Sequence, residues 1–162
     1  NNIIKLQHQA NKFGIGRDTH VGDTIIGIKG RVGFEAAAPL LIIKAHHLLE
    51  KHTLSKWQQF QKEQLGSFYG MLLHEGQYLD PVMRDLEVFL SNSQATVTGK
   101  VFVTLHPYRF ELNGVDSDHD LMNADFGSYG EINKGWSADD AKGFIKLLSN
   151  QNKIYQFVNK NK

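Results

Sequence analysis

A cluster of charged and hydroxyl side chains lies in a glycine-rich stretch near the start of the chain. It consists of Thr19, Asp23, Lys29, Arg31 and Glu35. Charged groups set among glycines and apolar residues need a partner or a ligand, so two interpretations are open. A guanidinium and a carboxylate four residues apart could form an internal ion pair, or they could face the charged ends of a zwitterionic amino acid.

Two other groups of side chains resemble metal ligands without having the spacing that a metal requires. The first group is His46, His47 and His52, and the second is Asp116, Asp118 and Asp120. The histidines lack the four-residue step that places two ligands on one face of a zinc-binding helix. The aspartates begin like a calcium loop, but its glycine and closing glutamate are missing at the required offsets. We therefore expect structural or solvated side chains and no metal site.

Composition excludes several classes of function. The chain has 162 residues and no cysteine, which rules out thiolate nucleophiles, disulfides and cysteine zinc sites. The net charge is +1, from 18 Lys and Arg against 17 Asp and Glu, which leaves no basic excess for nucleic acid or an anionic membrane. The glycines at 27, 30 and 33 match neither the Rossmann nor the Walker phosphate loop. We expect no nucleic-acid or membrane partner.

Hydrophobic periodicity predicts the elements that must position these groups. Apolar residues repeat at helical spacing over residues 3–13, 35–50, 53–76 and 80–92. Between the first two helices, residues 18–34 mix β-branched residues with four glycines, which predicts a strand or an irregular loop.

The aromatic residues of the third predicted helix form one group. They are Trp57, Phe60, Phe68 and Tyr69. Their spacing is typical of a buried helix face, so we predict that they belong to the core. The same helix is predicted to be capped by Thr53.

The second half of the chain has the pattern of a hairpin followed by helices. Apolar residues alternate from Val97 to Leu105 and again, after His106-Pro107, from Tyr108 to Leu112, which predicts a β-hairpin that ends at Asn113-Gly114. Ser137 begins a capping box and hence one or two C-terminal helices. The apolar tail, Ile154 to Val158, is flanked by lysines, which indicates another subunit as its partner. The fold predicted is α+β, an antiparallel hairpin packed with several helices and a C-terminal helical tail for oligomerisation.

Several short motifs resemble, in order, the C-terminal half of argininosuccinate synthase. They are Gly14-Ile-Gly-Arg17, Ile26-Gly27-x-Lys29-x-Arg31, Glu35, Ala45-His46, Ser93-Gln94, Val97-x-Gly99-Lys100-Val101-x-Val103 and Asp140-Ala141-x-Gly143-Phe144-Ile145. The resemblance runs over nearly the whole chain. It implies a synthetase domain at residues 1–150, which positions citrulline and aspartate, and a helical oligomerisation tail at residues 151–162.

The resemblance also implies a reaction and a missing part. The family's enzymes are ATP-dependent ligases of arginine biosynthesis, which condense citrulline with aspartate to argininosuccinate, AMP and pyrophosphate. ATP with Mg²⁺ is bound mainly by an N-terminal ATP-pyrophosphatase domain, whose Ser-Gly-Gly-type loop does not occur in residues 1–162. We therefore expect a fragment that begins at a cut, holds no catalytic residue and is inactive alone. The family further implies a cytoplasmic homotetramer.

The family approaches citrulline with the segment that matches residues 17–35. The positions that this implies for substrate binding are Gly22, Asp23, Arg31, Phe34 and Glu35, with Thr19 and Lys29 in support. Gly22 stands where the family has a glutamate, and Phe34 where it has a tyrosine. Either Asp23 replaces the lost carboxylate by a one-residue shift, or the substrate is an N-acyl-citrulline without the free ammonium. In the second case Gly22 makes room for the acyl group.

The alternative is a non-catalytic α+β interaction domain. In that case residues 17–35 form an ordinary salt-bridged turn, and the apolar tail mediates self-association. A small amino acid that stabilises the folded chain would separate the two hypotheses.

Overall fold

Helices and two antiparallel hairpins alternate along the chain in the computed structural model, which describes residues 1–123 and 135–160. In chain order the elements are α1 (Asn2–Asn11), β1 (Arg17–Asp23), β2 (Lys29–Glu35), α2 (Ala37–Thr53), α3 (Lys56–His74), α4 (Pro81–Ser93), β3 (Lys100–His106), β4 (Arg109–Asp116), a 3₁₀ turn (Leu121–Asn123), α5 (Ala138–Leu148) and α6 (Asn150–Asn159). This architecture confirms the predicted α+β class. No helix within the described ranges combines the length and apolarity needed to cross a membrane.

The chain divides into two compact units, Asn1–Met122 and Asn123–Lys162. The first unit contains both hairpins and the helices from α1 to α4, and the second contains α5 and α6. The predicted division into a synthetase domain at 1–150 and a tail at 151–162 concerns function, and it stays a prediction.

Local capping signals mark most helix starts. The Asp80 carboxylate accepts a hydrogen bond from the Val82 amide at 2.9 Å, with Pro81 as the first helical residue of α4, as predicted. Ser137 and Asp140 form the predicted capping box of α5. The predicted cap of α3 was wrong: Ser55 caps α3, because the Thr53 hydroxyl donates instead to the Leu49 carbonyl at 3.0 Å.

The first hairpin settles the strand-or-loop alternative for residues 18–34. Strands β1 and β2 pair antiparallel from Arg17↔Glu35 to Asp23↔Lys29 without a register shift. The turn closes where the Thr24 amide donates to the Ile28 carbonyl at 2.9 Å, and Gly27 adopts φ +78° inside it.

The second hairpin has its turn after His106, where the predicted alternation is interrupted, but its second strand runs further than predicted. Strands β3 and β4 pair antiparallel, and their turn lies between His106 and Arg109. Asn113-Gly114 does not end the hairpin, because β4 continues through it to Asp116. Val103 pairs with Leu112 and Phe102 with Gly114, so Asn113 is the extra residue of a β-bulge.

The largest core cluster joins α1, α2 and the second hairpin. Small residues allow α1 and α2 to approach closely, and the apolar side chains of β3 and β4 cover them. The fully buried members are Ala10, Ile15, Ala37 and Leu41, with Leu6, Leu40, Leu105 and Phe110 packed against them. Hydrogen bonding supports the same contact, since the Gln7 side chain accepts from the Ala38 amide at 2.8 Å.

The prediction of an aromatic core on α3 was wrong. Trp57, Phe60 and Phe68 are 68%, 52% and 41% exposed, and no residue of α3 is buried. Helix α3 instead contacts α4 with its other side, where the half-buried Tyr69 hydroxyl donates to the Glu87 carboxylate at 2.9 Å. Periodicity identified an apolar face but not whether the chain itself covers that face.

Candidate functional site

The glycine-rich stretch that the sequence singled out forms the β1–β2 hairpin, which is anchored at its base. The Ala36 amide donates to the Gly16 carbonyl at 2.9 Å, just before α2 begins. Gly16 adopts φ +81°, and a Cβ there would lie 2.5 Å from the Ala37 nitrogen. Only glycine allows this approach, so the hairpin base is fixed to the start of α2.

The register of the hairpin sorts the predicted site residues onto two faces. Successive residues of a strand point to opposite sides, and paired residues point to the same side. The charged face carries Arg17, Thr19, Val21, Asp23, Lys29, Arg31, Gly33 and Glu35. The glycine face carries Asp18, His20, Gly22, Gly30, Val32 and Phe34. The hairpin thus brings the five polar residues of the predicted cluster onto one face and places Gly22 and Phe34 on the other.

Two ion pairs occupy the ends of the charged face. Arg17 Nε lies 3.0 Å from Glu35 Oε1, and Lys29 Nζ lies 2.6 Å from Asp23 Oδ1. These side chains are 41% to 71% exposed, so water and salt screen both ion pairs. Each pair therefore adds at most about 1 kcal/mol to the free energy of unfolding. Glu35 therefore pairs across the strands, not with the arginine four residues away.

Arg31 differs from the other charged residues of this face. Within residues 1–123 and 135–160 no carboxylate forms an ion pair with it. It lies between the two ion pairs and is exposed on the hairpin. Its planar guanidinium is suited to two parallel hydrogen bonds with a carboxylate.

The length of the hairpin limits what one ligand can contact. Six residue steps separate the Arg17–Glu35 end from the Asp23–Lys29 end, which is about 20 Å. A single amino acid cannot contact both ion pairs. The charged face therefore does not act as one pocket, and the predicted residues do not converge around a common point within this chain.

On the glycine face, the His20 imidazole covers the position that a side chain at Gly22 would occupy. Gly22 pairs with Gly30, and a Cβ on Gly22 would lie 2.5 Å from His20 Nε2. Any larger residue at position 22 would displace the His20 ring. Sequence reasoning did not single out His20, although its position two residues before Gly22 on a strand places both on one face.

A second polar group lies in the interior, among helices α2, α3 and α4. Glu50 is 5% exposed, and its carboxylate contacts Lys62 Nζ at 2.7 Å, Gln94 Nε2 at 2.9 Å and His46 Nε2 at 3.2 Å. Burial alone would raise the pKa of Glu50, but the hydrogen bonds from Lys62 and Gln94 outweigh it and hold the pKa below its ordinary value. These contacts link α2 to α3 and to the end of α4, so the group stabilises the fold.

Four of the six residues that resembled metal ligands have other partners. His46 contacts Glu50, and His52 Nδ1 lies 3.1 Å from Asp120 Oδ1. The backbone amide of Met122, followed by His52, lowers the pKa of Asp120. Asp116 Oδ2 lies 3.4 Å from Lys100 Nζ. In the part of the chain that the structure describes, no three His, Asp or Glu side chains form a group that could hold a metal ion.

The fold is α+β, and it combines helices with a charged antiparallel hairpin. Residues 1–155 match the sequence model of a family described as arginosuccinate synthase C-terminal domain. This chain therefore belongs to the argininosuccinate synthase C-terminal domain family, which confirms the resemblance seen in its motifs.

Individual relatives agree with the family match. The chain is 36% identical over 158 residues to an argininosuccinate synthase of Xanthomonas campestris, which covers 98% of the chain and 39% of that protein. The chain is 37% identical over 153 residues to an argininosuccinate synthase of Dictyoglomus turgidum, which covers 94% of the chain and 38% of that protein. It is 36% identical over 149 residues to an argininosuccinate synthase of Pyrococcus furiosus, which covers 92% of the chain and 36% of that protein. The chain thus spans about two fifths of the length of these relatives.

Proposed function

We propose that this chain is the substrate-positioning domain of an ATP-dependent ligase that joins citrulline, or an N-acyl-citrulline, to aspartate. The products are argininosuccinate, or its N-acyl form, with AMP and pyrophosphate, in arginine biosynthesis. The observation that carries the proposal is the family match over residues 1–155, supported by relatives named argininosuccinate synthase. We propose a cytoplasmic homotetramer, as the family resemblance implies.

In this proposal, the chemistry at phosphorus takes place outside the chain. ATP and Mg²⁺ belong to an ATP-pyrophosphatase domain of the longer protein. Within the described residues no group of three acidic or histidine side chains fits Mg²⁺, so we assign this domain no step of the ATP chemistry. Its contribution is to hold two amino acids in line with the activated centre, which converts a multi-body encounter into a local step.

The charged face supplies one group that is ready for a substrate carboxylate. Arg31 is exposed and lacks an ion pair among the described residues, whereas Asp23 and Glu35 already have cationic partners. We assign Arg31 to a substrate carboxylate. In this assignment Thr19 lies beside it, and Asp23, Lys29 and Glu35 hold the ends of the hairpin.

The glycine face bears on which substrate is used. Gly22 and Phe34 share this face, so both departures from the family pattern alter the same surface. Asp23 points to the other face and pairs with Lys29, which argues against its replacing a carboxylate at position 22. This leaves the N-acyl-citrulline alternative as our proposal. The expected room for an acyl group at Gly22 is filled by the His20 imidazole, so this alternative requires the His20 ring to move aside.

The test uses the complete enzyme, with this chain joined to its ATP-pyrophosphatase domain. We expect AMP and pyrophosphate release with ATP, aspartate and an N-acyl-citrulline, and no release from the 162-residue chain alone. Arg31→Ala should lower kcat/KM at least tenfold, about 1.4 kcal/mol of transition-state binding, because a charged hydrogen-bond donor is lost. Arg109→Ala, an exposed arginine of the second hairpin, is the matched control and should leave kcat/KM unchanged.

Each other outcome has a defined meaning. Efficient turnover of citrulline with no use of acyl-citrullines would exclude the acyl substrate and keep the ligase. No turnover with either substrate by a folded enzyme would favour the non-catalytic interaction domain, for which the two surface ion pairs are ordinary turn contacts. An equal loss of kcat/KM in Arg31→Ala and Arg109→Ala would show that Arg31 has no specific role.

A further inference from the structure

Near its turn, the β1–β2 hairpin has a sheltered notch on the glycine face. Gly22 and Gly30 are paired across the two strands, and we call the space above their Cα atoms the glycine notch. These two glycines are half-buried, whereas every other residue of β1 and β2 is exposed. Neither glycine has a side chain, so the cover over the notch comes from neighbouring residues. Glycines within a strand often mark a place where a ligand approaches the backbone closely.

The cover differs between the two halves of the glycine notch. Above Gly22, a Cβ would lie 2.5 Å from His20 Nε2, 3.3 Å from Cδ2 and 3.4 Å from Cε1, so the imidazole ring fills this half. Above Gly30, the nearest atoms to a Cβ would be Thr24 Cγ2 at 3.9 Å and the Gly22 carbonyl oxygen at 4.0 Å. These are ordinary van der Waals distances, so the second half has room for a small group. A single aromatic ring therefore decides how much of the notch is open.

The His20 ring has no polar contact that would hold it over Gly22. In the described part of the chain, carboxylates lie beside His46, His52 and His106, whereas His20 has no ion-pair or hydrogen-bond partner. Its side chain is also exposed. Exposed side chains exchange between staggered rotamers within nanoseconds. Rotation about the Cα–Cβ bond of His20 therefore uncovers Gly22 while the strand pairing stays intact.

We propose that His20 is a specificity-determining residue, whose ring leaves the glycine notch to admit a short acyl group on the substrate nitrogen. An imidazole ring is larger than an acetyl group, so the space that the ring vacates is sufficient. The backbone of the two glycines and the Thr24 methyl group then line the acyl group, which suits a small and largely apolar substituent. This inference rests on the proposed function, since it names the residue that selects the substrate of that site.

The residues of the glycine face also limit the charge of the acyl group. Among the strand residues that form this face there is no lysine or arginine, and Asp18 is the acidic residue. Asp18 lies two residues before His20 on the same strand. An acyl group with a carboxylate of its own would find no arginine or lysine partner here, and it would face a like charge. The face therefore favours a neutral acyl group, such as acetyl.

Nuclear magnetic resonance of the 162-residue chain tests the position of the ring. We expect a nuclear Overhauser effect between the His20 ring protons and the Hα protons of Gly22, and we expect its loss in Gly22→Ala. The new Cβ meets only the far end of a movable side chain, so this variant should fold. Absence of the effect in the unaltered chain would overturn the proposal, whatever the complete enzyme does.

Kinetics of the complete enzyme test the selection of the substrate. His20→Ala should raise kcat/KM for N-butyryl-citrulline at least tenfold relative to N-acetyl-citrulline, because no ring has to move aside. Gly22→Ala should lower kcat/KM for N-acetyl-citrulline at least tenfold relative to citrulline, because its Cβ occupies the notch. His74→Ala is the matched control: it removes an exposed imidazole at the end of α3 and should change neither ratio.

The kinetic outcomes separate failure of this inference from failure of the ligase. An enzyme that uses N-acetyl-citrulline, but whose His20→Ala and Gly22→Ala ratios equal those of His74→Ala, would overturn the role of His20 and keep the ligase. Use of citrulline alone by every variant would also overturn the selection by His20. If the folded enzyme turns over none of the three substrates, the proposed ligase is wrong and this inference is wrong with it.

Discussion

Glu50 shows how a single buried charge is held at the scale of one residue. Its carboxylate receives a cation from α3, an amide from the end of α4 and an imidazole from its own helix. Removing one member of such a group leaves the others buried without a partner. This change lowers the free energy of unfolding by more than the complete group adds to it. The residue therefore matters more to folding than the exposed ion pairs of the β1–β2 hairpin.

We predict that Glu50→Gln destabilises the chain by roughly 3 kcal/mol at pH 7, because Lys62 stays buried without a counter-charge. The pKa of Glu50 is lowered in the folded state, so its ionised form adds stability above the ordinary value near 4.5. That stability is lost as the pH falls through the lowered pKa.

Chemical unfolding at pH 7 and at successively lower pH measures this effect. The difference between wild type and Glu50→Gln should shrink on acidification. Glu63→Gln, an exposed acid on α3, should change the free energy of unfolding by less than about 0.5 kcal/mol at any pH. A constant difference between wild type and Glu50→Gln across the pH range would show that the Glu50 charge is not the cause.

At the residue scale, the sequence predicted which groups are unusual but not how they pair. The cluster from Thr19 to Glu35 does share one face of a hairpin. The partner of Glu35 is 18 residues away, at Arg17, and only strand register brings the two together. His20 escaped notice for the same reason, since its position over Gly22 follows from the strand and not from any motif.

At the scale of elements, the contact between the β1–β2 hairpin and α2 depends on a glycine. We predict that Gly16→Ala destabilises the chain by about 2 kcal/mol or more, because a Cβ would strain φ +81° and clash with the Ala37 backbone. Gly33→Ala on the same hairpin is the control, since nothing lies within 4 Å of its Cβ position. Thermal unfolding compares the two, and equal melting temperatures would disprove the clash.

The start of a helix was predictable where its capping signal is local. Whether a helix face is buried was not predictable from the sequence. Asp80-Pro81 and the Ser137 capping box act within three residues, so the sequence alone places α4 and α5. Whether Trp57 and its neighbours are buried depends on what covers α3, which no local pattern encodes. Asn113-Gly114 has the composition of a turn but forms a bulge, because the pairing of β3 with β4 extends beyond it.

At the scale of the whole molecule, the C-terminal helix has few contacts with the other described residues of its own unit. Helix α6 has no buried residue, and Phe157 is 82% exposed. Its apolar residues, from Ile154 to Val158, would be covered in an oligomer.

We predict that ending the chain after Asn150 weakens assembly, seen as a lower mass in sedimentation equilibrium. A chain ending after Lys160 keeps α6 and serves as the control. If the chain that ends after Asn150 associates like the full chain, the tail has no part in assembly.

The two faces of the β1–β2 hairpin also have a consequence for how this domain evolves. Neighbouring residues of a strand point to opposite sides, so substitutions on the glycine face leave the ion pairs of the charged face in place. Selection can therefore alter Gly22 and Phe34 without first repairing the fold. A hairpin built in this way can change one of its faces through single mutational steps, each of which passes through a folded protein.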